Sequence, residues 1–306
     1  MTQEPCILVI GAPRMALSLF CDRLPQAGET VSLKEHPLYE MGDRATALAV
    51  ALTRLHARTV FCGVVGDDNM GRIMRDRLYA EGVDTRFLYA APHAATGLEC
   101  RLCGKADETR GLQFAGVGRM LEKEQAEEAF ACLPDAVCLL ADLPPEILSH
   151  VMMLADERHI PVIMDARGGE TRLANLPQAE IFCANADECE ALSGERPGTA
   201  DQCLRAMLSL SGKIKARHHV LKLEDRGCFF LDGRLPRYLS ACVIHPAGGT
   251  GAGTVFLAAL TMLYLKSDGN LPLSCKYANA SAALALTKPG LYLPTQEEIA
   301  DFLRQS

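Results

Sequence analysis

The chain alternates short apolar runs with longer segments of mixed polarity. Ile7–Ile10 is unbroken aliphatic and closes on Gly11. A run this short, bounded by glycine, predicts a strand buried on both faces. Thr59–Val65, Ala136–Leu140, Pro161–Met164, Glu180–Cys183 and His219–Leu223 repeat the pattern. Helix-forming stretches lie between them: Glu40–Leu55, Met70–Glu81, a segment from Pro144-Pro145 to about Arg158, and Asn185–Leu192. Phe229–Leu231, running into Asp232-Gly233, predicts a hairpin. A glycine-rich turn follows, then an apolar helix over Val255–Leu265 and a helix pair near Ser274–Leu286 and Gln296–Arg304.

Strands alternating with helices predict an α/β protein with a mostly parallel central sheet. Two segments depart from that rhythm. Residues of about 13–40 and 88–115 show polar alternation of β type, and Gly104-Lys105 offers a hairpin turn. They predict a small β flap over the sheet edge. No repeat, low-complexity tract or Pro/Ser-rich linker interrupts the sequence, so residues 1–306 read as one domain.

Composition narrows the function. The chain is 49% hydrophobic, which excludes intrinsic disorder as its main state. Its net charge of −7 and lack of any long Lys/Arg run exclude nucleic acid as the main partner. Tyr238–Leu265 carries no charged residue, but Pro246 and four glycines break it. Its apolar remainder is too short to cross a bilayer, so no membrane role is expected. Thirteen cysteines are scattered, many of them in apolar runs. With no leader pattern at the start, they predict reduced thiols and a cytoplasmic location. Cys100 and Cys103 sit at a spacing that a strand would point to opposite faces, so no metal site is expected there.

Gly248-Gly249-Thr250-Gly251-Ala252-Gly253-Thr254 precedes the apolar helix. Glycines let backbone N–H groups approach a ligand, and a helix start adds unpaired donors and a positive dipole end. Gly251, Ala252 and Gly253 therefore form a candidate anion hole. A tight turn packed on the sheet is the alternative. No Gly-Lys-Ser/Thr follows, so this is not a Walker loop.

The order of elements and the segment TGAGTVFLAAL (Thr250–Leu260) resemble the PfkB, or ribokinase-like, carbohydrate kinases, whose signature there reads Asp-Thr-x-Gly-Ala-Gly-Asp. Similar segments are Arg23–Val31, Ala51–Thr85, Asn185–Leu192 and Ala278–Gly290. The resemblance implies a three-layer α/β/α sandwich with the flap as a lid. It also implies transfer of the ATP γ-phosphoryl group to a hydroxyl of a sugar or related small molecule, with Mg²⁺. A homodimer through the lid is a further expectation. On the nucleotide side the resemblance points to Asn185, Glu188, Lys222, Glu224, Gly227 and Asn279. On the substrate side it points to Arg14, Ala16, Gly42, Arg44 and Thr46. No residue is assigned as a direct metal ligand.

Several of these positions depart from the family pattern. Thr254 stands where the family has the Asp that takes the substrate proton, and a neutral hydroxyl has no useful basicity near neutral pH. No Asp or Glu lies between Asp232 and Asp268 to replace it, and His245 is nine positions away. Arg14 and Ala16 occupy the Asn and Asp positions of the early sugar-binding motif, and Thr46 the Asn of the next. Arg14 and Arg44 suit a carboxylate or phosphate ligand, with ordinary solvated surface as the alternative. Glu224 replaces the first glycine of a phosphate loop, and Asn185-x-x-Glu188 equally reads as a helix capping box. The expectation is a kinase homologue with impaired transfer; the alternative is a catalytically inactive relative that binds a metabolite or regulates a partner.

Overall fold

The computed structural model describes residues 4–104, 108–166, 173, 176–232, 235–247 and 249–305. Gly248, Lys105 and Gly233, named above for the glycine turn and two hairpins, lie outside them.

The apolar runs become a nine-stranded sheet. Its parallel strands are β1 (Cys6–Ile10), β4 (Arg58–Gly66), β5 (Asp84–Ala91), β8 (Ala136–Leu140), β9 (Val162–Asp165), β10 (Ala179–Asn185) and β11 (Ala216–Lys222). The strands β12 (Cys228–Asp232) and β13 (Leu235–Leu239) continue one edge antiparallel. The order across the sheet is β13-β12-β11-β10-β9-β8-β1-β4-β5. All five residues of β1 are buried, as expected of a central strand covered on both faces. Leu8 and Ile10 belong to one core cluster, Ile7 and Val9 to the other.

Each cluster sits under its own helical layer. Helices α3 (Lys123–Ala129), α4 (Pro145–Glu157), α5 (Ala186–Ser193) and α6 (Ala200–Lys213) cover the Leu8 face. The other face is covered by α1 (Arg44–Arg54), α2 (Asn69–Ala80), α7 (Ala252–Lys266), α8 (Leu271–Leu286) and α9 (Gln296–Gln305). Three layers result, as the sequence predicts. The uncharged stretch containing α7 is a core helix: no helix among the described residues is long and apolar enough to cross a membrane.

A separate four-stranded sheet forms the lid, in the order β3-β2-β6-β7: β2 (Arg14–Phe20), β3 (Leu38–Met41), β6 (Gly97–Cys103) and β7 (Thr109–Phe114). Residues 88–91, assigned to the flap from sequence, belong instead to β5 of the main sheet. The helix expected from Glu40 starts only at Arg44. Glu40 and Met41 end β3, and the Asp43 side chain caps α1 by accepting from the Thr46 N–H at 2.8 Å. Helix α6, unpredicted, buries Cys203, Ala206, Met207 and Leu210, with Leu204 packed partly against the core and Leu208 exposed on its outer side. Cys100 and Cys103 share strand β6 with odd spacing, and all thirteen cysteines are free thiols.

Candidate functional site

Three adjacent parallel strands end in polar residues. Asp165 closes β9, Asn185 closes β10 and Lys222 closes β11, with Cys183 opposite Asp165 and Asn185 opposite Lys222 in register. Ligands of open α/β sheets bind beyond these carboxyl ends. A cavity of about 1050 Å³ opens there, running from the lid to the start of α7 and on to α8.

The start of α7 forms one wall. Gly251 caps the helix with a φ of +82°, and a Cβ there would lie 2.3 Å from Leu291 Cδ1. Only glycine meets both demands. Its neighbours Ala252, Gly253 and Thr254 line the cavity in the first turn; the N–H groups of Ala252 and Gly253 precede any intrahelical acceptor, while Thr254 N–H donates to Gly251 O at 2.9 Å. Thr254 is 7% exposed. A Cβ built on Gly253 would stand 3.9 Å from Lys222 Nζ, so an ammonium group faces the same helix start. No carboxylate occurs in α7. His245 is exposed and outside the cavity lining, and so replaces no base.

Lys222 belongs to a buried charge network. Its Nζ donates to Asp165 Oδ1 at 2.6 Å, and Arg44 Nη1 donates to Asp165 Oδ2 at 3.1 Å and to Glu188 Oε1 at 2.9 Å. Asp165 and Lys222 are both nearly inaccessible. Burial opposes ionisation of Asp165, yet Lys222 and Arg44 outweigh it and hold the carboxyl below its ordinary value. Burial likewise opposes the charge on Lys222, and Asp165 overrides it and raises the ammonium pKa. Lys222 is therefore a cation, not a base.

Asn185 and Glu188 form a reciprocal capping box on α5: Glu188 N–H donates to Asn185 Oδ1 at 2.7 Å, and Asn185 N–H to Glu188 Oε2 at 2.9 Å. Both Glu188 oxygens are thereby engaged, one by a backbone N–H and one by Arg44. Both Asp165 oxygens are engaged too. These carboxylates do not fit a Mg²⁺ ion, and no group of three or more His, Cys, Asp or Glu among the described residues is arranged to hold a metal. Glu224 and Asp225 are different: they line the cavity from a short turn after β11, with no hydrogen bond to their carboxylates among the described residues. Mg²⁺ at phosphate sites characteristically takes one or two carboxylates plus the phosphates, and this pair fits that need.

The turn keeps the shape of a glycine loop without its first glycine. Glu224 has a φ of +55°, a left-handed conformation that costs a residue with a Cβ about 1–2 kcal/mol. Gly227 has a φ of +98°, and a Cβ there would meet Leu239 O at 2.2 Å. Asn279 on α8 lines the cavity and ties down its far side, its Nδ2 donating to Leu239 O at 3.4 Å and Ser240 O at 3.3 Å.

On the lid side the residues separate. Gly42 and Arg44 line the cavity. Gly42 must be bare, because a Cβ would lie 2.6 Å from Ala16 N. Thr46 is fully buried, and its Oγ1 donates to Asp43 Oδ2. Arg14 is also buried: its guanidinium lies 3.7 Å from Asp142 and outside the cavity lining, while its N–H donates to Asp43. Ala16 is buried between β3 and β6. The expectation that Arg14 and Arg44 await an anion meets two arginines already paired with carboxylates. The sequence reading passed over Asp165, the hub of the network. Its one local signal was an acidic residue ending a predicted strand.

The chain is thus a three-layer α/β/α sandwich with a four-stranded sheet near a glycine-capped helix start. A sequence model described as "pfkB family carbohydrate kinase" matches residues 5–298. The chain belongs to that family. It is 25% identical over 307 residues to a ribokinase of Bacillus subtilis, covering 97% of this chain and 99% of that one. Among solved structures, an Arabidopsis thaliana ribokinase complexed with ribose and ATP superimposes with a TM-score of 0.89 at 21% identity, over 99% of this chain and all of that one. A putative ribokinase II from E. coli, in complex with ATP and Mg²⁺, gives 0.78 at 17% identity, over 99% of this chain and 100% of its own.

Proposed function

We propose that the chain binds ATP in the cavity and transfers its terminal phosphoryl group to a hydroxyl of a sugar or related small molecule, slowly because Thr254 occupies the base position. One observation carries the reading. A single cavity joins the lid to a bare helix start flanked by Lys222, so phosphate and acceptor share one space. The solved relatives that hold ATP, one with ribose and one with Mg²⁺, support the choice of nucleotide and cofactor.

Phosphoryl transfer depends mainly on positioning and charge stabilisation. The N–H groups of Gly251, Ala252 and Gly253 would hold the transferred group, with Lys222 adding a fixed positive charge. Glu224 and Asp225 would hold Mg²⁺, which supplies neutralisation of phosphate charge when bound. Asn279 and Gly227 shape the nucleotide end. Arg44 cross-links α1, β9 and α5, so the acceptor side is tied to the phosphate side. The start of α7 offers Thr254 and no carboxylate to receive the hydroxyl proton, and that change would slow transfer by about 10²–10⁴-fold.

A second reading, a catalytically inactive binder or regulatory partner, is favoured by the coincidence of Thr254 and Glu224 in one cavity. Calorimetric titration with Mg²⁺–ATP and ADP separates the outcomes. Micromolar binding with slow ADP release in the presence of a sugar supports the kinase. Binding without any turnover supports the inactive relative. No binding up to millimolar removes the kinase reading and leaves an inactive relative that binds another metabolite or a partner. The lid's outer face exposes Tyr39, Leu112 and Phe114, which supports pairing of two chains there.

A further inference from the structure

The lid strands pair in a register that surrounds Ala16 with acid. Glu40 of β3 stands opposite Ala16 on one side, and Glu99 of β6 on the other. Directly paired residues share a face of the sheet and lie about 4.5–5.5 Å apart at Cβ. Two carboxylates therefore flank the position where the resemblance expects one. Both line the large cavity, while Ala16 between them is fully buried and contributes nothing to its wall.

The charges near them are unequal. Arg101, next but one along β6 and on the same face, donates from Nε to Glu99 Oε1 at 2.7 Å. It is the lid's only cation in the cavity lining among the described residues. Glu40 accepts no hydrogen bond among the described residues. Arg44 is matched by Asp165 and Glu188, and Arg14 by Asp142 outside the cavity lining. Asp43, also in the lining, adds a further carboxylate. The acceptor end is thus net negative, the opposite of what Arg14 and Arg44 suggest when read from sequence. An anionic acceptor would be repelled, and hydroxyl or ammonium donors would be received.

We propose that Glu40 and Glu99 together hold the acceptor, and that it is a neutral or ammonium-bearing polyol rather than a sugar acid or sugar phosphate. The proposal rests on the kinase reading for the word acceptor, but the acidic row binds or fails on its own.

Three probes of one carbon skeleton test it: D-glucosamine, D-glucose and D-gluconate, each titrated calorimetrically into the whole chain with ADP present. The expected order is glucosamine tightest and gluconate at least about ten-fold weaker. Glu99→Gln and Glu40→Gln should each weaken glucosamine about ten-fold or more, the range of one lost hydrogen bond to a charged group. The double variant should lose the discrimination against gluconate. Unchanged melting temperatures would show that the variants are folded. Gluconate binding as tightly as glucosamine, or affinities unmoved by both substitutions, would overturn the proposal. ADP binding with no probe binding would overturn it and leave the kinase reading standing. Selective glucosamine binding without ADP binding would sustain the acidic row and remove the kinase reading.

Discussion

Replacing Asp165 with Asn should damage the protein more than any other single change of charge near the cavity. Asp165 and Lys222 are both buried and meet at 2.6 Å. The substitution leaves the Lys222 ammonium, only 11% exposed at the cavity wall, without its partner carboxylate. Removing one member of a buried pair costs about 3–5 kcal/mol, because the survivor keeps its desolvation penalty. At roughly 2.1 cal/mol/K per residue, 306 residues give an unfolding entropy of about 0.64 kcal/mol/K. The melting temperature should fall by about 5–8 °C, measurable by scanning calorimetry. Lys222→Met should cost less, since Asp165 keeps Arg44. Asp165→Leu combined with Lys222→Met should recover most of the loss, because nothing charged is then stranded. The gap between wild type and Asp165→Asn also has a pH dependence. Asp165 sits below its ordinary 3.8, so its stabilisation is present above that value and lost as pH falls through the lower folded value. Lys222 sits above its ordinary 10.5, so its share is present below that value and lost only in stronger alkali. The gap should be widest between about pH 5 and 9 and narrow below about pH 4. A melting temperature within about 1 °C of wild type at pH 7 would refute the account of a desolvated pair.

Other positions give sharper functional tests. Thr254→Asp should raise sugar-dependent ADP release by about 10²-fold or more, read with a coupled assay; no gain with any sugar tested would count against a kinase lacking only its base. Glu224→Gly should relieve about 1 kcal/mol of left-handed strain and tighten ADP binding in EDTA by about five-fold, since a carboxylate leaves the phosphate loop. Calorimetry showing weaker metal-free binding would contradict that. Gly251→Ala should lower the melting temperature and abolish nucleotide binding, because φ is +82° and Leu291 Cδ1 lies 2.3 Å from the new Cβ; wild-type ADP affinity would sink the anion-hole assignment.

The main sheet was legible because each of its central strands is a short apolar run, and burial on both faces leaves no other solution for Ile7–Ile10 or Ala136–Leu140. Helix α6 was not, since small Cys203 and Ala206 share its inner face with Met207 and Leu210 while Leu208 is exposed on the other side. The glycine turn marked the start of α7 locally, and Gly251 caps that helix beside the cavity. The Arg44–Asp165–Lys222–Glu188 network could not be announced that way: Arg44 and Asp165 are 121 residues apart, and Asp165 and Lys222 are 57 apart. Glu40 and Glu99 became neighbours only through strand register, which a strand's own composition does not reveal. The pairing of Arg14 and Arg44 was hidden for the same reason, because the carboxylates that match them lie far along the chain.

The first strand has a waiting time built into it. It pairs on one side with β4, some fifty residues on, and on the other with β8, where Ile7 meets Ala136 across 129 positions. At roughly 5–20 residues per second of synthesis, that second partner follows about 6–26 s later. Through that interval Cys6-Ile7-Leu8-Val9-Ile10 is an uncharged β-forming segment with at least one open edge. Crowding on the ribosome, more than any weakness of the finished fold, is where this chain is most exposed to aggregation, and slower elongation through residues 60–140 would lengthen the danger.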